Sequence, residues 1–109
     1  MTFHLTLKAQ WYDMIEQGIK KEEYRETKQY WQKRLCSNYG DEMCRRCIAY
    51  CERACHYVTS PFNRVCFHFG YTNRTMTFKI EDIHIGKGNP YWGAEEGKQY
   101  FVIKLGERL

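Results

Sequence analysis

The sequence predicts a small α+β domain: a curled sheet or barrel of about five or six short strands with two or three helices. Three observations carry that reading. Segments near both ends alternate apolar and polar residues with period two, the mark of half-buried strands. The period changes to that of a helix between the first strands. The length of 109 residues suits one domain rather than two and is enough for a real core.

The first strand is Phe3, Leu5 and Leu7 alternating with Thr2, His4 and Thr6. From Ala9 the period changes, and Trp11, Met14 and Ile15 fall on one helical face, with Asp13, Glu16 and Gln17 on the other. Gly18 is a good stop just past the helix end. Lys20 to Glu26 reads as a second strand, with Lys20, Glu22 and Tyr24 on one face and Lys21, Glu23 and Arg25 on the other. Neither face is apolar enough for a core, so part of this strand should line something wet. Thr27 is placed to cap a helix that runs to about Leu35. Asp41 is placed to cap a third helix, whose stripe is Met43, Cys44, Cys47, Ile48, Cys51, Ala54, Cys55 and Val58. Ser60-Pro61 ends that segment. Three strands then follow, on Val65/Phe67/Phe69, on Met76/Phe78/Ile80 and on Phe101/Ile103/Leu105. Ile83 and Ile85 resume one step out of phase, which predicts a bulge near Glu81-Asp82.

Composition excludes several classes. Aromatics make up 17% of the chain, against disorder, and only two prolines occur, against a linker or repeat. No apolar run reaches the ~18–20 residues of a membrane helix. The first residues do not read as a signal peptide, so a cytoplasmic setting with reduced cysteines is expected, and no membrane partner. The net charge of +4 lies in the first two thirds: Lys and Arg outnumber Asp and Glu 12 to 8 over residues 1–75 and balance beyond. Such a bias suits an anionic partner such as nucleic acid.

The charged stretch Gly18-Ile19-Lys20-Lys21-Glu22-Glu23-Tyr24-Arg25 is the most informative. A plain edge strand guarded by charge is one explanation. The other is a pocket wall where Lys20, Glu23 and Arg25 converge on an anionic or carbonyl-bearing ligand. Strand alternation separates Lys20 from Glu23 and Arg25, so convergence requires a twist or bulge.

Gly18-x-Lys20-x-x-Glu23-x-Arg25 resembles the Gly-x-Lys-x-x-x-x-Arg signature of the ASCH domain, in the PUA-like superfamily. The flanks Tyr30-Trp31-x-x-Arg34-Leu35, Phe69-Gly70-Tyr71, Gly86-x-Gly88, Trp92-Gly93-Ala94-Glu95 and Tyr100 to Gly106 resemble those of small bacterial ASCH proteins. The resemblance covers about 3–35 and 65–107, and residues 36–64 look like a cysteine-rich helical insertion in a single ASCH-like domain. It implies a PUA-like barrel whose signature strand lines a cleft, and RNA or nucleotides as ligands. Some small bacterial members are amidohydrolases that deacetylate N4-acetylcytidine with a lysine, a threonine and a glutamate. The lysine position matches Lys20. The threonine position is Glu23 here, which removes the hydroxyl that this activity relies on. If the chain is an enzyme, Lys20 and Glu23 are the candidate catalytic pair. A salt-bridged Lys/Glu/Arg lattice instead leaves Arg25 as a fork for phosphate or carboxylate, and binding is the preferred reading.

Tyr24, Tyr30, Trp31, Lys33, Arg34, Tyr71, Asn73 and Arg74 interleave rings and cations, as single-stranded nucleic acid requires. Trp31 and Tyr30 also fit as packing residues of a short helix. Cys44, Cys47, Cys51 and Cys55, with Cys36 and Cys66 nearby, invite a zinc reading. On one helix, however, Cys44 and Cys55 would stand ~16 Å apart, and the same spacing is that of a packing stripe. No resident metal or other cofactor is expected, with Cys36, Cys44, Cys47 and Cys51 as the weak candidates. His4, His56, His68 and His84 show no HxxxH or HExxH spacing and read as structural or exposed. The cysteine-rich helix is also the feature that a protein-interaction module would use.

Overall fold

The computed structural model describes residues 1–37 and 60–109. The third helix, Cys44, Cys47, Cys51, Cys55 and His56 lie outside the described residues. The elements run β1 (Thr2–Leu7), α1 (Ala9–Glu16), β2 (Glu22–Glu26), α2 (Gln29–Leu35), β3 (Arg64–Phe69), β4 (Thr75–Lys87), a 3-10 turn (Pro90–Trp92) and β5 (Gln99–Arg108). The five strands form one curled sheet in the order β1-β3-β4-β5-β2, so the domain is α+β. β1 and β3 pair in parallel; the other neighbours are antiparallel.

Alternation explains the main core. Phe3, Leu5 and Leu7 of β1 meet Val65 and Phe67 of β3, Met76, Phe78, Ile83 and Ile85 of β4, and Phe101 and Ile103 of β5. Tyr12 and Ile15 of α1 and Leu35 of α2 close this side. β5 is buried on both faces, because Tyr100 and Val102 point to a second cluster with Tyr24, Ala94 and Trp92. That is why Tyr100 to Ile103 reads as a continuous apolar run. The register of β4 against β5 shifts between Phe78 and Asp82, where the change of phase predicted a bulge. No helix among the described residues is long and apolar enough to cross a membrane.

Three local expectations are corrected. The second strand begins at Glu22, so Lys20 and Lys21 precede it. Thr27 does not cap α2: Lys28 holds that position, and its side chain pairs with Glu26 rather than capping the helix. In α1 the buried residues are Tyr12 and Ile15, while Trp11 and Met14 of the expected Trp11/Met14/Ile15 face are only half-buried, because the face of the helix is set by the sheet beneath it.

Candidate ligand cleft

Gly18 sits just beyond α1 with φ of +78°, a left-handed conformation that costs glycine little. The amides of Ile19 and Lys20 both donate to the Met14 carbonyl, at 3.0 and 3.1 Å. This wrap turns the chain inward, and Lys20 enters as a buried side chain, only 2% exposed. Its Nζ donates to the Trp92 carbonyl at 2.7 Å and to Glu23 Oε1 at 3.2 Å. It also lies 4.5 Å from the centre of the Trp11 ring. Burial lowers the pKa of Lys20, and the Glu23 carboxylate beside it opposes that shift.

Glu23 is the hub. Its Oε1 accepts from Lys20 Nζ at 3.2 Å and from the Tyr24 amide at 3.0 Å, and it forms an ion pair with Arg25 Nη1 at 3.3 Å. Its Oε2 is buried and has no partner among the described residues. Arg25 Nη1 also donates to the Tyr24 carbonyl at 2.6 Å, and its guanidinium lies 5.2 Å from the centre of the Trp31 ring. Tyr24 Oη donates to Glu22 at 2.8 Å and accepts from the Asn89 amide at 2.9 Å. Burial raises the pKa of this phenol well above its ordinary value.

These groups line a cleft of about 460 Å³ with Thr6, Leu7, Trp11, Trp92, Lys98 and Tyr100. Thr6 and Leu7 belong to one edge strand of the sheet, and Glu23 to Glu26 to the other. Across a flat five-stranded sheet those edges would stand ~19 Å apart. The curl brings both to one cavity, which α1, α2 and the Pro90–Trp92 turn complete. A larger hollow of about 910 Å³ lies on the other side of Lys20, along β4 and β5, lined in part by Lys21, Lys87, Lys104 and Glu107. The smaller cleft holds the buried ionic groups and most of the rings, and so concentrates the chemistry.

Of the residues singled out in the sequence, Lys20, Glu23, Tyr24, Arg25 and Trp31 line this cleft. Arg34, Tyr71, Asn73 and Arg74 do not. Arg34 stacks on Tyr30, 3.5 Å from the ring centre, on the exposed face of α2. Tyr71 and Asn73 are exposed in the β3–β4 turn, and Arg74 is paired with Glu16 of α1 at 2.5 Å. Cys36 is half-buried, against the main core. Trp11, Trp92, Lys98 and Tyr100 also line the cleft, and the sequence does not mark them as doing so. Trp11 falls in the apolar stripe of α1, and nothing local distinguishes a ring that packs from one that lines a cavity.

The chain matches no family model, no curated protein and no solved structure.

Proposed function

We propose that the protein binds RNA or a nucleotide in this cleft, in the manner expected of an ASCH-like, PUA-like module. The observation that carries the reading is the Glu23 carboxylate, which belongs to the lining of a cavity rich in rings and whose buried Oε2 has no donor among the described residues. An unmade hydrogen bond of this kind is costly. The N–H edge of a nucleobase satisfies it, while Trp11, Tyr24, Trp31, Trp92 and Tyr100 supply surfaces for stacking. Arg25 then offers its outer nitrogens to a phosphate.

Titration with nucleoside monophosphates and short single-stranded RNA tests this, with Glu23→Gln beside the wild type. Binding that weakens in Glu23→Gln supports the reading. Absence of binding to every nucleotide and RNA overturns it.

A second reading is an amidohydrolase acting on a modified pyrimidine nucleoside. Its support is the juxtaposition of a desolvated lysine, which can steady a developing oxyanion, with a buried carboxylate oxygen that has no donor among the described residues. Turnover of N4-acetylcytidine by the wild type, lost in Glu23→Gln, favours it over simple binding. The interaction-module reading rests on the cysteine-rich segment, outside the described residues.

A further inference from the structure

We propose that His4, Cys66 and His68, none of which lines the cleft, form a zinc site on the face of the β1–β3 pair turned away from the main core. The spacing of these residues in the sequence gives no hint of it, because the site is made by strand pairing. Cys66 and His68 are two apart on β3 and so project from the same face. In the parallel register His4 stands opposite Cys66. His4 on β1 projects away from the core formed by its neighbours Phe3 and Leu5.

The donor atoms are already gathered. His4 Nδ1 and His68 Nε2 are 3.0 Å apart, and the Cys66 sulfur completes a trio whose ligand atoms all lie within 4.8 Å of one another. Two imidazole nitrogens on one tetrahedral zinc, each ~2.05 Å from the metal, are separated by about 3.3 Å; a thiolate at ~2.3 Å lies about 3.6 Å from each. Movements within the reach of side-chain rotation therefore close the trio on one ion. A shared proton between the two rings accounts for their contact alone, but not for the thiol beside it. Two nitrogens and one sulfur are a donor set that suits zinc and disfavours magnesium or calcium. The fourth position falls to water or another donor, as in three-ligand zinc sites. On binding, the Cys66 S–H bond breaks and its proton leaves to solvent while the Zn–S bond forms. Each imidazole presents a lone pair, and the proton held between the rings moves to a ring's other nitrogen, so one proton is released per ion.

The test is titration of the reduced full-length chain with Zn²⁺ alone and, for its spectrum, Co²⁺ alone. Because the chain has six cysteines and thiolates bind zinc, the readout is the loss of one ion per chain. His4→Gln alters an exposed side chain and His68→Gln a half-exposed one, so folding, checked by circular dichroism, should survive both. Each is expected to remove one ion from the stoichiometry, or to weaken its affinity by about a hundredfold, since even partners one step beyond a ligand are worth 10–100-fold. Cys66→Ser should in addition lose the thiolate-to-cobalt charge-transfer band of that ion. Unchanged stoichiometry and affinity in both histidine variants, or no metal binding by the wild type, overturns the site.

Discussion

Lys20 Nζ and Glu23 Oε1 meet at 3.2 Å, although the alternation of an extended strand would put these residues on opposite faces. The resolution is that Lys20 is not part of the strand. It hangs from the C-terminal wrap of α1, and only Glu23 and Arg25 share a face of β2. A residue placed by a helix end thus reaches one placed by a sheet edge.

Arg25→Lys should weaken binding of nucleotides by about 1.5–3 kcal/mol, the worth of a charge-assisted bond. Lysine keeps the charge but cannot at once cover Trp31, reach the Tyr24 carbonyl and Glu23, and present a planar fork. Calorimetric titration measures the change. Wild-type affinity in this variant would remove Arg25 from the site.

Neutralising Lys33, Arg34 and Arg74 together should leave mononucleotide affinity unchanged, since none of the three lines the cleft. If they touch the backbone of a longer RNA, each lost contact lowers the salt slope of RNA binding by about one unit. An equal salt slope for wild type and triple variant would exclude this surface from contact with phosphate.

Gly88→Ala should destabilise the fold by about 1–3 kcal/mol, as overpacking does. An added Cβ would meet Ala94 Cβ at 2.5 Å and the Tyr24 ring at 2.8 Å. Displacing that ring disturbs its bond from the Asn89 amide, so ligand affinity should fall as well. Thermal unfolding and nucleotide titration of the same variant check both effects.

Stability should pass through a maximum in alkaline solution. Burial lowers the Lys20 pKa from its ordinary 10.5, so between the lowered value and 10.5 the unfolded chain holds more protons than the folded one. Stability rises with pH across that window. Burial raises the Tyr24 pKa from its ordinary 10.0, so above that value the unfolded chain loses a proton that the folded chain keeps. Stability then falls. Urea unfolding at a series of pH values from about 8 to 11 should show the rise lost in Lys20→Met and the fall reduced in Tyr24→Phe. A Tyr24→Phe curve parallel to the wild type above pH 10 would contradict the second half.

Local patterning is enough to specify the strands at Phe3–Leu7, Val65–Phe69 and Phe101–Leu105, the stop at Gly18 and the irregularity between Phe78 and Asp82. Each is written in neighbours one to four residues apart, where side-chain direction follows from backbone period alone. It also marked Lys20 to Arg25 as a charged stretch, but did not indicate that Lys20 and Glu23 would be buried or that Tyr24 would join the second apolar cluster. The meeting of Lys20 and Arg25 on one oxygen of Glu23 comes from three-dimensional packing, because it depends on where α1 ends relative to a sheet edge. That packing alone made a cleft from Thr6 and Glu23, since only the curl brings opposite edges together. It alone set His4 beside Cys66 and His68, because strand pairing joins residues more than sixty positions apart and local periodicity holds no record of the partner.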